Sequence, residues 1–388
     1  MTLLVALVLF VSATLLVLYT SNTAVTEQRM SANEVRSKQA FEAAQAGVEL
    51  GIRHINTGGA FNVQLTQANA TWAAQNSFLR ATFCTSATVP AMQCADHQSG
   101  GFTAACTAPG TADERAWLVA CGWSDDSAAR RRIVTFVVKA SPLPGGVTNP
   151  LIAKGSVAMG GNPTVINYYN NLTVWTGNNL SSSSATGKTV VRRPSSAPGQ
   201  LTPTQVAAQV GNGNQVCSAS QAPDLICTTT SGVVGPDVIQ GDTTLSTLSD
   251  AQFFENFLGS GPAEYKSTMV DAENVVAGES AGTISEGGNI YWVDGDATIS
   301  QNIGSADNPV ILIVDGNLTL SGSPTIFGVV LVTGNLDQGG GATIRGALLV
   351  SGGVSGSGNL NIIYDPDAVG GVKQLGSYAS MPGSWRDF

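Results

Sequence analysis

The sequence predicts an α+β protein in which a long N-terminal helix packs on a small antiparallel β-sheet head, followed by a β-solenoid-like, glycine-rich repeat domain. Three observations predict it. Residues 1–57 carry no proline, and their first glycine is Gly47. Residues 116–141 hold two β-rich runs around a polar turn. Residues 322–357 repeat one glycine-punctuated frame at a period of 18. The length of 388 residues has room for two or three domains.

The helix comes first. Residues 1–19 include 16 apolar residues, and the first charge is Glu27. A helix of about 20 residues crosses a ~30 Å hydrocarbon core, so residues 1–25 read as a membrane span. A cleaved signal peptide would begin with basic residues and have a shorter apolar core. Beyond the span, Phe41, Ala44, Val48, Ile52 and Ile55 form a stripe at helical spacing. Glu34 with Lys38 and Glu49 with Arg53 are acid-first pairs four apart. Thr57-Gly58-Gly59 is a stop signal. The expectation is one helix over 1–57, roughly 85 Å long, greasy all round in its first half and amphipathic in its second.

The N-terminal run MTLLVALVLF and the following EQRMSANEVRSKQAFEAAQAGVELG resemble the mature N-terminus of PilX-type minor pilins of type IV pili. The resemblance covers roughly the first 55 residues. It implies that Met1 is the first mature residue and is N-methylated after leader removal. It places Thr2 at a position that is usually small or hydroxylated, and it makes Met1, Thr2, Leu3, Leu4 and Val5 the assembly end. Most such pilins have glutamate at the fifth position, thought to pair with a neighbouring subunit's N-terminal amine. This chain has Val5. In that respect it resembles the tip-most pseudopilin of type II secretion systems, which implies a place at or near the filament tip. Implied partners are other minor pilins, the major pilin and a PilY-type tip adhesin. The implied location is the inner membrane (single-pass) before assembly and the extracellular pilus afterwards, in support of pilus assembly, adhesion and twitching motility.

Residues 58–145 are expected to form the α+β head. AWLVACGWS (116–124) and RRRIVTFVVKAS (130–141) flank SDDSAAR and read as an antiparallel hairpin that covers the helix stripe. Arg130–Arg132 reads as a solvated strand start. Six cysteines with no C-x-x-C spacing read as disulfides in an oxidising compartment, with 15 possible pairings. Cys217 and Cys227 are the natural local pair. Cys84, Cys94, Cys106 and Cys121 fall within 38 residues and are expected to form two bridges among themselves, in an order the sequence leaves open.

In the C-terminal half, GSPTIFGVVLVTGNLDQG (322–339) aligns with GGATIRGALLVSGGVSGS (340–357). YWVDGDATIS (291–300) and LIVDGNLTLS (312–321) share a V-D-G unit 21 apart. LIAKGSVAMGGNPTV (151–165) aligns without gaps on LIVDGNLTLSGSPTI (312–326), and LTVWTG (172–177) answers VVLVTG (329–334). These predict a discontinuous solenoid of 146–187 plus 281–365. In this reading the chain leaves for a Ser/Thr/Gly-rich insertion, 188–280, and returns near 281 to continue the stack. The insertion holds a capped helix, SDAQFFENFLG (249–259), with a core-packing aromatic face. The tail 366–388 ends in SMPGSWRDF (380–388), an aromatic stretch expected to cap or clasp the repeats.

Composition limits the chemistry. A net charge of −9 and a pI near 4.7 argue against nucleic acid. There are two histidines, His54 and His97. Gly278-Glu279-Ser280-Ala281-Gly282 fits a serine-hydrolase elbow, but both histidines precede it and no parallel α/β pattern surrounds it. Asp294, Asp296 and Asp315 are turn aspartates without calcium-loop spacing. No enzymatic activity, cofactor or metal is expected. The competing reading is a membrane-anchored β-helix that binds or cleaves surface polysaccharide; a bactofilin-type polymer needs neither six cysteines nor the long helix.

Overall fold

The computed structural model describes residues 2–66, 78–110, 114–182, 188–210, 217–230 and 232–387. The chain forms two compact units, Met1–Ala140 with Ser377–Phe388, and Ser141–Gly376.

In the first unit, a single helix runs from Thr2 to Asn56. It lies on an antiparallel sheet ordered Leu65–Thr66, Phe78–Cys84, Arg115–Trp123, Arg130–Lys139. The predicted stripe is only part of the buried face. Ala44, Val48 and Ile55 are buried, but Phe41 and Ile52 sit at its margins, and Ala40 and Ala43 are buried instead. Small residues bring the backbones close. A Cβ added at Gly122 would lie 2.2 Å from the Ala40 carbonyl oxygen, so only glycine fits there. Cys84 bonds Cys106 and Cys94 bonds Cys121.

The tail differs from expectation. Tyr378–Ser380 and Arg386–Asp387 do not clasp the repeats; both pair antiparallel with Arg130–Lys139 in the first unit's sheet. The reason is an otherwise open strand edge beside aromatic seats. Tyr378 packs edge-on to Phe61 at 5.6 Å and Trp385 to Phe41 at 6.5 Å. The Asn56 side chain donates to the Tyr378 carbonyl and accepts its N–H, at 3.0 and 2.6 Å.

The second unit is a stack of parallel strands. Thr325–Val332 pairs with Thr343–Val350 at all eight positions, each 18 residues apart. Leu336–Gln338 pairs with Val354–Gly356 at the same offset. Ile290–Asp294 pairs with Val310–Asp315 at an offset of 21. Two rungs bend at a glycine: Gly328 and Gly346 have φ of +131° and +138°, and a Cβ at either would lie 1.9 Å from a carbonyl oxygen of the preceding rung. The inward side chains of successive rungs, such as Leu312, Val330, Leu348 and Leu151, pack into one apolar interior. Asparagines link the turns outside it. Asn317 Oδ1 accepts the Asn335 N–H and Asn335 Oδ1 the Gly353 N–H, both at 2.8 Å.

The rungs are joined in a different order from the one expected. Residues 151–167 do not lead into the rung near 281. They lie against the last repeat instead, with Leu348 opposite Leu151 and Ile362 opposite Val165. The first rungs in sequence are thus the last in space. The match of LTVWTG to VVLVTG is also shifted by one residue. Val174 stacks on Leu151, hence in the column of Leu348 and Val330. The predicted alignment would put Trp175 in the interior column of Val332, which has no room for an indole; one residue of slip turns it outward.

The region expected as an insertion extends the stack and covers it. Lys188–Arg192 pairs with Thr164–Asn167, and Val275–Ala277 with Ile290–Asp294. Asp250–Leu258 is a helix capped by Ser249, with Phe253, Phe254, Phe257 and Leu258 buried against the outer face of Ile311, Ile313, Val329 and Leu331. Pro203–Val210 covers Ile166, Val190 and Ile363.

Candidate assembly interface

The helix changes character without a break in its backbone. Every described side chain from Leu3 to Val35 is exposed, and burial begins at Arg36 and Ser37. Leu3 and Phe10 are 81% and 72% exposed, and Leu4, Val5, Leu7 and Leu15–Tyr19 are equally bare. Such a surface costs about 25 cal/mol per Å2 in water, so it requires lipid or other apolar helices. The helix is long and apolar enough to cross a membrane. Three hydroxyls of its apolar stretch bond back to the helix's own carbonyls. Ser12 donates to the Leu9 carbonyl, Thr14 to Phe10 and Val11, and Thr20 to Leu16 and Val17, at 2.9–3.1 Å. No carboxylate or cation interrupts the run before Glu27. Of the five residues expected at the assembly end, Met1 lies outside the described residues; Thr2 opens the helix, and Leu3, Leu4 and Val5 present an apolar surface.

Polar contacts fix the point where the helix meets the sheet. Arg36 pairs with Asp126 at 2.6 Å, and Arg131 donates to Ser37 Oγ at 2.9 Å. The Ala128 N–H, the Ser124 hydroxyl and Arg36 together hold the Asp126 carboxyl below its usual range. The basic run is therefore not simply a solvated strand start: Arg131 binds the helix, and Arg132 is buried with its guanidinium donating to the Met92 carbonyl. Sequence reasoning missed this anchor, because nothing in a run of three arginines identifies a serine 94 residues away as its partner.

The other candidates do not form a reactive site. Gly278–Thr283 is a 3-10 turn in which Ser280 is exposed, while Ala281 and Ile284 close the interior of the stack. The Gln301 amide donates to the Ala281 and Ile284 carbonyls at 2.9 and 3.0 Å. In the first unit, His97 Nδ1 lies 3.1 Å from Ser127 Oγ and 3.5 Å from Asp96 Oδ1. Both partners meet the same ring nitrogen, so the trio cannot relay a proton as a triad does. Asp294 pairs with Lys266, Asp296 accepts from Asn317, and Asp315 accepts from Thr333. Among the described residues no group of three acidic, histidine or cysteine side chains could hold a metal. Cys217 is bonded to Cys227.

Residues 1–49 match the family model described as PilX N-terminal. The chain is type IV pilin-like at its N-terminus. A pilin-like segment of this kind fits anchoring in the inner membrane and later packing beside other pilins in a pilus. No curated protein matches the sequence. Among solved structures, the competence-associated pilin ComZ from Thermus thermophilus is similar at 9% identity over 91% of this chain and 97% of that one. The TM-score is 0.22, too low to support any inference. The pilin-like assignment therefore rests on the N-terminal segment.

Proposed function

We propose that this chain is a minor pilin of a type IV pilus, placed at or near the tip, where it primes assembly and supports adhesion and twitching motility. The observation that carries the reading is the helix itself, bare and apolar from Leu3 to Tyr19 yet continuous with a half that is packed into a folded head. Val5 supports the tip position. A carboxylate at that depth would cost about 2.5–3.5 kcal/mol unless paired, and a subunit without one has no need of a predecessor. On this reading the partners are other minor pilins, the major pilin and a PilY-type tip adhesin, and the protein is structural, not enzymatic. Three disulfides among the described residues suit a periplasmic and then extracellular life. We read the parallel stack as a discontinuous solenoid displayed outward from the pilus.

The test is gold labelling of an epitope-tagged chain on native pili, with pilus counts in a deletion strain. Expected are a single label at one end of a filament and a loss of surface pili that the wild-type gene restores. Val5→Glu is expected to spread the label along the shaft. Labelling of the shaft by the wild-type chain would refute the tip position, and unchanged piliation in the deletion strain would refute priming.

A further inference from the structure

The structure assigns a second site, independent of the filament reading. We infer that a groove on the outer side of the repeat unit, beside the helix Pro203–Val210, binds an uncharged oligosaccharide. The groove has a volume of about 480 Å3. Its floor is fixed by register. Ile326, Ile344 and Ile362 point into the interior. The residues alternating with them form two outward columns, Thr325–Thr343–Asn361 and Phe327–Arg345–Ile363. Paired strands lie about 4.8 Å apart, so each column repeats at that interval.

The two columns offer what a sugar chain requires. One supplies two hydroxyls and an amide, groups that both donate and accept. The other supplies an aromatic ring, one face of which the Arg345 guanidinium covers, and that guanidinium. Asn302, whose Oδ1 accepts the Thr325 N–H at 2.8 Å, closes the groove with its amide nitrogen as a further donor. Arg345 holds the strongest pointer to a ligand. Its guanidinium carbon sits 4.9 Å above the Phe327 ring centroid, and one terminal nitrogen is 3.4 Å from Asp365 Oδ2. Its Nε is buried and has no hydrogen-bond partner among the described residues. A buried donor without a partner is unfavourable, and a hydroxyl or acetamido oxygen in the groove would satisfy it.

Charge selects the class of saccharide. Arg345 is the only basic residue between Lys266 and Lys373, and Asp365 already faces it. Asp367 lies close enough to act on Asp365. An acidic chain would meet one engaged guanidinium beside two carboxyl groups.

The test uses the full-length protein in lipid nanodiscs, avoiding glycoside detergents, with calorimetric titration of cellohexaose, chitohexaose and hexagalacturonate. Saturable binding of at least one uncharged hexamer is expected. Phe327→Ala is expected to weaken it roughly tenfold. The double variant Thr325→Val with Thr343→Val, which keeps shape and removes two hydroxyls, is expected to weaken it while leaving the melting temperature in place; it decides the matter if Phe327→Ala fails to fold. Absence of binding to both uncharged hexamers, or binding that neither variant changes, overturns the site. Tighter binding of hexagalacturonate overturns the uncharged class.

Discussion

The two units solve the same problem, burying apolar strand faces, by opposite means. In the first unit, strands from distant parts of the chain meet one helix, and unlike neighbours fit together: Gly122 against the Ala40 backbone, Trp385 against Phe41, two disulfides each tying a loop to a strand. In the second, each rung meets a near copy of itself, so Leu312, Val330, Leu348 and Leu151 share one column. The first arrangement depends on particular pairs. The second depends on keeping every rung the same shape.

A change of rung shape is therefore expected to have the largest effect. Gly346→Val places a side chain at φ of +138° and against the Gly328 carbonyl oxygen. Strain and overpacking together predict a loss of about 4 kcal/mol in the repeat unit. Calorimetry of the full chain is expected to show its transition lowered while that of the first unit stays. A common shift of both would show that the two units do not unfold separately. The reciprocal change is Cys94→Ser with Cys121→Ser. Opening a loop of 27 residues is expected to cost the first unit about 3 kcal/mol and to leave the repeat transition unmoved.

The smallest effect sharpens the comparison by pH. Lys154 and the Ser351 hydroxyl hold the Asp250 carboxyl below its ordinary value. A depressed acid stabilises the fold above its unfolded pKa, and that stability is lost as pH falls through the folded value. Asp365 behaves oppositely: burial raises its pKa, so its ionisation costs stability as pH rises. Asp250→Asn is thus expected to lower the repeat unit's stability by less than about 1 kcal/mol at neutral pH, because the pair is partly exposed, and to match the wild type in acid. A difference between the two that persists below pH ~3 would remove the ion pair as its cause.

The same contrast explains what was legible in the sequence. The gapless match of 151–165 with 312–326 places Leu151 in the column of Leu312, and Thr164 in that of Thr325, because a repeat carries its neighbour's identity within itself. It does not carry the order of the rungs, since any copy stacks on any other; hence the sequence could not show that 151–167 follows the last repeat in space. The helix was legible from length and periodicity. Its anchor was not, because Ser37 with Arg131 and Arg36 with Asp126 are single long-range pairs. The tail misled for a related reason: its aromatic residues signal packing, but the open edge they fill is a property of the folded sheet.

The chain leaves the first unit after Ala140 and re-enters it at Ser377, and there the Ala140 N–H donates to the Ser377 carbonyl at 3.0 Å. The exit and the return are thus adjacent positions of one ladder within the first unit. A unit closed in this way can exchange the whole segment between those two positions for a short turn, or for a different segment, without altering its own helix and sheet.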